Sequence, residues 1–191
     1  LEQAKLPFSV EFKYLEQGMR IGGQWYPVVK MDWVEGLTLR QFVAENLEKP
    51  QVLDVFFQVW LKVLSPLRKA QAAHGDLQHG NVMLVRGSNE RMLALKLIDY
   101  DGMWVPALGG HPPGEVGHPC YQHPQRARRS LYTPDIDRFP HLVIACALKC
   151  LVRSEGPSLW REFDNGENLL FTKSDFDTPA KSPLLQRLWN S

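Results

Sequence analysis

The chain begins with segments in which apolar and polar residues alternate, a pattern typical of β-strands. Residues 8–15 (FSVEFKYL) alternate in this way, and residues 25–34 (WYPVVKMDWV) are predicted to form a second, more buried strand. Between them, EQGMRIGGQW contains three glycines and indicates a turn. The pattern therefore predicts a β-hairpin, which must pack on other structure because an isolated two-stranded hairpin is only marginally stable in water.

Helical spacing replaces the alternation after the hairpin. Thr38 is the expected N-cap of a short helix, and residues 51–64 form the clearest helix of the chain. Ser65 and Pro66 are expected to interrupt that helix. Residues 139–152 (FPHLVIACALKCLV) are apolar on nearly all sides, which predicts a buried helix. The apolar stripe of the earlier helix is formed by Val52, Val55, Phe56, Val59 and Val63.

A second hairpin and a long irregular stretch lie between these helices. Residues 82–86 and 93–99 are predicted to be its two short strands, joined by a loop that contains GSNER. Residues 102–134 contain six prolines and five glycines and show little periodicity. An irregular stretch of this length inside a compact domain is usually functional. Short helical pieces, such as SLWREF and LLQRLW, follow in the last part of the chain.

Composition and charge are those of an ordinary globular domain. Apolar residues make up 44% of the 191 positions and charged residues 23%, which fits one domain or a domain with a small appendage. The net charge of +1 gives no electrostatic reason to expect nucleic acid or a membrane as partner. No apolar run approaches the roughly 18 residues of a membrane span. Three cysteines, an odd number, fit a reducing cytosol, so we expect a cytoplasmic protein.

Two polar stretches, HGDLQHGN and LIDYDG, flank the second predicted hairpin and carry the candidate chemistry. Asn81 directly precedes its first strand and Asp99 ends its second, so strand pairing should bring these two residues close together. Their oxygens suit Mg²⁺, which takes one or two side-chain oxygens together with substrate phosphates. Asp76 lies on the preceding loop and can accept a hydroxyl proton. Asp or Asn alone is more often a turn residue than a ligand. The order of loop, hairpin and strand-end Asp is much less likely to arise by chance.

Five motifs in order resemble the protein-kinase superfamily. HGDLQHGN resembles the catalytic loop H-R-D-L-x-x-x-N, and IDYDG resembles the strand end that carries D-F-G. GHPCYQHPQ (residues 117–125) is similar to G-T-P-x-Y-x-A-P-E, which closes the activation segment of kinases. DRFPHLVI looks like the opening of the buried central helix, and VVKMDWVEGLTL looks like the last N-lobe strand and the hinge. The resemblance covers roughly residues 8–152 and points to the bacterial serine/threonine type.

The resemblance implies an α+β fold that is mostly α. It would be a protein kinase-like C-lobe with short β-hairpins and an incomplete N-lobe sheet. Residues 1–34 would be a remnant of the N-lobe, and residues 35–191 would be the C-lobe. Residues 102–134 would then be the activation segment and substrate platform. The open strand edge within residues 8–34 is expected to recruit a second chain, giving a possible dimer.

The resemblance also implies roles at the reaction centre. Asp76 would be the catalytic base, and Gln78 takes the catalytic position at which protein kinases have a lysine that contacts the transferred phosphate. Asn81 and Asp99 would be the metal ligands, so Mg²⁺ and ATP are the implied cofactors. The implied reaction is transfer of the γ-phosphate of ATP to a Ser/Thr hydroxyl of a protein.

Five further residues receive supporting roles from the same resemblance. Met31 would be the gatekeeper beside the nucleotide. Asp32 and Val34 would offer backbone groups to the adenine ring. His74 would be a structural member of the catalytic loop, and Asp137 would brace that loop from below.

Several positions depart from the kinase pattern. Gly75 stands where many kinases have an arginine, Asp101 replaces the glycine of D-F-G, and Gln125 replaces the glutamate of A-P-E. No G-x-G-x-x-G occurs in the 30 residues before Met31, and no lysine there has the spacing of the kinase strand lysine. The basic run RARR (residues 126–129) is predicted to be solvated surface.

These departures leave three functions open. The first is an ATP- and Mg²⁺-dependent protein kinase-like domain, inactive as this chain because the phosphate-binding loop of the N-lobe is absent from it. The second is a pseudokinase that acts as a binding or scaffold module for a protein partner. The third is a small-molecule kinase of the aminoglycoside-phosphotransferase type, which HGD and the acidic DYD also resemble.

Overall fold

A computed structural model of the chain describes residues 6–86, 93–129 and 131–190. Its strands are β1 (Phe12–Ile21), β2 (Gln24–Met31), β3 (Leu37–Thr38), β4 (Val82–Arg86) and β5 (Leu93–Leu97). Its α-helices are α1 (Leu39–Asn46), α2 (Pro50–Trp60), α3 (Leu64–Lys69), α4 (Pro124–Arg129), α5 (Arg138–Leu151), α6 (Gly156–Phe163), α7 (Lys173–Asp177) and α8 (Pro183–Trp189). This is the predicted α+β architecture in which helices predominate.

Strands β1 and β2 form the predicted N-terminal hairpin. They pair antiparallel, with one irregularity between Leu15 and Met19. Pro27 lies opposite this irregularity, where its missing N–H removes no ladder hydrogen bond. The turn consists of Gly22 and Gly23, which both have a positive φ that glycine adopts without steric cost.

The hairpin exposes nearly all of its side chains. Its exposed apolar residues are Tyr14, Leu15, Met19, Ile21, Trp25, Tyr26, Val29 and Met31. In the described ranges no third strand pairs with β1 or β2. Within the described residues, the sheet at this end of the chain therefore consists of β1 and β2 alone.

The segment before β1 attaches the hairpin to the body of the protein. Leu97, at the end of β5, donates its N–H to the carbonyl oxygen of Phe8 at 2.9 Å. Val10 donates its N–H to the hydroxyl of Tyr100 at 2.8 Å. The side chains of Phe8 and Val10 are themselves buried. The hairpin is thus held mainly by its leading segment, together with Phe12 at the start of β1, whose ring lies 6.1 Å from that of Tyr100.

The second sheet is antiparallel, in the order β3–β4–β5. Thr38 is the N-cap of α1 as predicted, because its Oγ1 accepts the N–H of Gln41 at 3.3 Å while the Gln41 side chain accepts the N–H of Thr38 at 2.8 Å. Strand β5 ends at Leu97, two residues before the predicted end at Asp99. The GSNER loop lies outside the described residues.

Helix α5 runs through the centre of the core. It packs against α2, where Trp60 donates its indole N–H to the carbonyl oxygen of His141 at 3.0 Å and stacks on the His141 ring with a centroid distance of 5.2 Å. Most of its apolar residues are buried, as predicted. Leu142 and Cys146 are exceptions because they face solvent.

The apolar stripe predicted for residues 51–64 is divided between core and surface. Phe56 and Val63 are buried, whereas Val52, Val55 and Val59 are exposed. The buried face of α2 is formed by Leu53, Phe56 and Trp60. Valine spacing alone predicts the wrong face, because the larger leucine and aromatic side chains bury more area and determine which face turns inward.

The interruption predicted at Ser65 and Pro66 occurs slightly earlier in the chain. Helix α2 ends at Trp60 and α3 begins at Leu64, so Ser65 and Pro66 lie in the first turn of α3. A proline is tolerated there because the first N–H groups of a helix have no partner within it. The short C-terminal helices α6 and α8 are confirmed. None of the helices in the described ranges is long and apolar enough to cross a membrane.

Replacing Leu148 by alanine should lower the free energy of unfolding by about 2–5 kcal/mol, because Leu148 is fully buried on α5 and its removal leaves a cavity. Leu142 lies on the same helix with 57% of its surface exposed, and Leu142→Ala should change that free energy by less than about 0.5 kcal/mol. Urea unfolding followed by circular dichroism measures both. Equal losses would show that α5 is not the centre of the core.

Candidate active site

The loop between α3 and β4 is anchored from below by one buried carboxylate. Asp137, directly before α5, accepts the N–H of His74 at 2.5 Å and the N–H of Gly75 at 2.9 Å through its two oxygens. Burial raises the pKa of Asp137, and the hydrogen bonds from the N–H groups of Gly75 and His74 offset only part of this effect. Asp137 therefore lies beneath the loop, as the kinase resemblance implies.

His74 makes three hydrogen bonds inside the protein. Its Nε2 bonds to the carbonyl oxygen of Ile98 at 3.0 Å, its Nδ1 accepts the N–H of Asp76 at 3.3 Å, and its own N–H is held by Asp137. Burial lowers the pKa of His74. A neutral ring with its proton on Nε2 satisfies both nitrogens. These contacts fit a structural residue of the loop.

Asp76 is buried, and both of its carboxylate oxygens are bonded. Oδ2 accepts the side-chain amide of Asn81 at 3.0 Å, and Oδ1 accepts the backbone N–H of His118 at 2.7 Å. The Asn81 amide also donates to the backbone carbonyl of Asp76 at 3.0 Å. The amide nitrogen of Asn81 is therefore committed to Asp76. In the described part of the chain no donor bonds to the Asn81 side-chain oxygen.

Asp99 lies beside Asn81, as the hairpin argument predicts. Ile98 donates its N–H to the Asn81 carbonyl at 3.0 Å, and Asp99 is the next residue. Asp99 has a φ of +66°, a left-handed conformation that is uncommon outside glycine. Such strain tends to persist at functional sites, where the surroundings enforce it. The Asp99 side chain is exposed.

The donor atoms of Asn81 and Asp99 are hard oxygens and suit Mg²⁺. Within residues 6–86, 93–129 and 131–190, no group of three or more His, Cys, Asp or Glu is arranged to hold a metal ion. Mg²⁺ needs no such cage, because it usually keeps several waters and takes one or two protein oxygens plus phosphates. The pair fits that small requirement, and its role as metal ligands stays a prediction.

Gln78 is folded back onto its own turn. Its side-chain oxygen accepts the N–H of Gly80 at 2.8 Å, and its backbone carbonyl accepts the N–H of Asn81 at 3.1 Å. It makes no hydrogen bond to Asp76. Gln78 therefore shapes the approach to Asn81 and supplies no cation at the position where protein kinases have lysine.

Gly117 and Glu115 bring the irregular segment close to Asp76 and Gly102. Gly117 has a φ of +80°, and a Cβ there would lie 2.6 Å from Oδ1 of Asp76. The Oε1 of Glu115 is buried without a hydrogen-bond partner in the described part of the chain, next to Gly102. Burial raises the pKa of Glu115, and the negative charges of Asp76 and Asp99 raise it further. Sequence reasoning misses Glu115, because the segment has no periodic pattern.

Arg126 contradicts the prediction of a solvated RARR run. Its side chain is only 3% exposed, whereas Arg128 and Arg129 are exposed as predicted. One guanidinium nitrogen of Arg126 donates to the carbonyl oxygen of Gly75 at 2.6 Å and also to the side-chain oxygen of Gln122. The prediction is wrong for Arg126 because a short helix can turn one arginine inward while its neighbours remain in solvent.

A cleft of about 790 Å³ lies between the hairpin's leading segment and the second sheet. Asp32 and Val34, the predicted hinge residues, line it together with Phe8 and Tyr100. Met31 does not line it. The volume falls in the usual range for small-molecule sites. Two of the three residues predicted to meet the nucleotide therefore border one cavity.

The fold is similar to that of a viral kinase. The structure of the Cydia pomonella granulovirus kinase PK-1 matches it with a TM-score of 0.53 and 16% sequence identity, over 94% of this chain and 76% of that chain. The protein has a kinase-like fold. No protein-family model matches the sequence, and no curated protein matches it.

His79 should titrate far below an ordinary histidine. Burial lowers its pKa to about 4, with further lowering from His118 and Arg40. Because the neutral form is favoured in the folded state, the stability from His79 is complete above pH 6.5 and is lost as the pH falls toward 4. Titration of the imidazole by NMR should give this low midpoint, and His79→Gln should make stability less dependent on pH between 6.5 and 4. An imidazole midpoint above 6 would contradict the burial of His79.

Proposed function

We propose that this kinase-like protein transfers the γ-phosphate of ATP to a Ser/Thr hydroxyl of a protein. The observation that carries the proposal is the proximity of three residues: the side chains of Asp76 and Asn81 are hydrogen-bonded, and the backbone carbonyl of Asn81 accepts the N–H of Ile98, the residue before Asp99. Residues 1–34 would correspond to a remnant of the N-lobe, and residues 35–191 to the C-lobe. The bacterial subfamily stays a prediction.

Asp76 would act on the proton of the substrate hydroxyl. Both oxygens accept one hydrogen bond, Oδ2 from the Asn81 amide and Oδ1 from the N–H of His118, and we expect Oδ1 to take the proton because it is the oxygen on the side of the irregular segment. Oδ1 faces Gly117 and the N–H of His118, within the segment that the sequence implies as the substrate platform. An ionised carboxylate oxygen accepts two hydrogen bonds, so the N–H of His118 can position Oδ1 without preventing proton transfer.

Asn81 and Asp99 would hold Mg²⁺ through their side-chain oxygens, and the ion would offset the charge of the phosphates. Because Asn81 uses its amide nitrogen on Asp76, its oxygen remains for this purpose. The left-handed backbone at Asp99 would set the direction of the second proposed ligand. Asp32 and Val34 would offer backbone groups to adenine in the cleft beside Tyr100.

The site offers few groups that could bind the phosphates of ATP. Gln78 places no positive charge there, and the sequence before Met31 contains no glycine-rich loop. We therefore propose that these 191 residues bind Mg²⁺–ATP more weakly than micromolar and turn it over slowly. A cation beside the transferred phosphate would stabilise mainly the transition state, and Gln78 does not supply this stabilisation.

Asp99→Asn and Asp76→Asn should have different effects on the protein. Asp99→Asn should remove the Mg²⁺-dependent part of ATP binding and abolish turnover, because it removes the one charged metal ligand. Asp76→Asn should lower the rate about 10²- to 10⁴-fold and leave nucleotide binding nearly unchanged, since the base acts in the transfer step. Calorimetry with ATP and Mg²⁺, together with transfer of radiolabelled phosphate to a basic protein substrate, measures both effects.

Asp135→Asn is the matched control, because Asp135 is an exposed carboxylate outside the site. It should leave both binding and transfer unchanged. If wild type and both site variants are equally inactive, and Mg²⁺ does not alter ATP affinity, the transfer function is excluded and the pseudokinase alternative remains.

A binding function is the second candidate, and the exposed hairpin favours it. Strands β1 and β2 present aromatic and aliphatic side chains to solvent, and no third strand covers their edges in the described ranges. An open strand edge is a template for pairing with another chain. We propose that a second copy of this chain pairs with the open edge of the hairpin. This binding role would not depend on catalysis.

Self-association through the hairpin should be visible as a mass that rises with protein concentration. Tyr14→Lys, in the exposed face of β1, should shift this equilibrium toward monomer because it places a charge in the interface. Val55→Lys is the control, since Val55 is an exposed apolar residue on α2, away from the hairpin. Light scattering after size-exclusion chromatography measures the mass. A wild-type monomer at all concentrations, or equal effects of both variants, would refute the hairpin interface.

A further inference from the structure

Arg126 is a buried cation in a protein whose other described lysine and arginine side chains all reach solvent. Burying an arginine is costly unless the surroundings compensate its charge. Burial lowers the pKa of Arg126. The negative charges of Asp137, Asp76 and Glu115 act in the opposite direction and raise it. None of these carboxylates lies within ion-pair distance of it in the described part of the chain. Arg126 is thus placed among the acidic groups of the centre without neutralising any one of them.

The direct contact of Arg126 is with the loop backbone. Its Nη1 donates to the carbonyl oxygen of Gly75 at 2.6 Å and to the side-chain oxygen of Gln122. Its Nε and Nη2 have no hydrogen-bond partner among the described residues. A guanidinium–carbonyl hydrogen bond is charge-assisted and stronger than a neutral one. Gly75 directly precedes Asp76, so Arg126 fixes the peptide that carries the proposed base.

Gly75 cannot carry a side chain of its own. Its φ is +85°, and a Cβ there would collide with the carbonyl oxygen of Gly102. The loop therefore excludes a cation at this position by backbone geometry. A cation can reach the Gly75 peptide only from another element, and α4 supplies it.

Asp137 and Arg126 hold the same residue of the loop from two directions. Asp137 accepts the N–H of Gly75, and Arg126 donates to the carbonyl of Gly75. The backbone on both sides of the Gly75 α-carbon is thereby fixed, and the direction of the next side chain, Asp76, follows from it. Removing Asp137 or Arg126 would leave one side of the Gly75 backbone free to rotate.

We propose that Arg126 is a positioning residue, which sets the orientation of Asp76 through the Gly75 carbonyl. This proposal rests on the phosphoryl-transfer function for its kinetic consequence. Its structural consequence, a more mobile loop at residues 74–76 when the guanidinium is removed, is independent of that function.

Arg126→Met tests the proposal, because methionine keeps the length and apolar stem of the side chain and removes the donors. In wild type, the amides of Gly75 and Asp76 should exchange slowly with solvent. In Arg126→Met they should exchange roughly 10- to 100-fold faster, as expected for the loss of a charge-assisted hydrogen bond. Amides within α5 should exchange at the wild-type rate. Equal acceleration in the loop and in α5 would show general destabilisation and overturn the proposal.

Turnover gives the second measurement. Arg126→Met should lower kcat about 10- to 100-fold while KM for ATP stays within about threefold, since a misplaced base affects the transfer step and not nucleotide binding. Arg126→Lys should recover part of kcat because it retains one charged donor. Arg128→Met, on the exposed side of the same helix, should behave as wild type. Unchanged kcat in Arg126→Met would also overturn the proposal. If wild type has no turnover, the proposed transfer function fails, and amide exchange alone decides the role of Arg126.

Discussion

One buried carboxylate holds the candidate active site in place. Asp137 accepts the N–H groups of His74 and Gly75, and it lies directly before α5, the helix at the centre of the core. The loop is therefore attached to the most buried helix of the core. Two buried N–H groups without this acceptor would each cost about 1–3 kcal/mol. The same N–H groups offset part of the cost of burying the carboxylate, although burial still raises the pKa of Asp137.

Local rules predict only part of the site from the sequence. A hairpin with its turn at one end must bring its open ends together, and this rule alone places Asn81 beside Asp99. The kinase resemblance adds the brace at Asp137 and the structural role of His74. Both residues make the contacts that such roles require. The catalytic role of the site stays a prediction, because these hydrogen bonds show how the loop is held and do not test its chemistry.

The rest of the site depends on contacts between segments distant in sequence. Arg126 and Glu115 come from a stretch without periodicity, so no pattern separates an inward side chain from a solvated one. The same limit explains the division of the valine stripe on α2, where Trp60 and Leu53 decide the buried face through contacts with other helices. The chain also exposes Trp33, although the sequence pattern predicts a buried strand there. Burial is a property of the assembled fold, and local periodicity predicts it only where one face has all the large apolar side chains.

The segment that lines the cleft also helps to hold the left-handed backbone at Asp99. A left-handed non-glycine residue persists only where both flanks are held. On one side, Ile98 is bonded to Asn81 and to His74. On the other, the Tyr100 hydroxyl accepts the N–H of Val10 and donates to the Leu97 carbonyl at 2.6 Å. The direction of the Asp99 carboxylate therefore depends on the segment that leads into the hairpin, which also lines the cleft. For this reason the N-terminal segment belongs to the site even though none of its own side chains carries chemistry there.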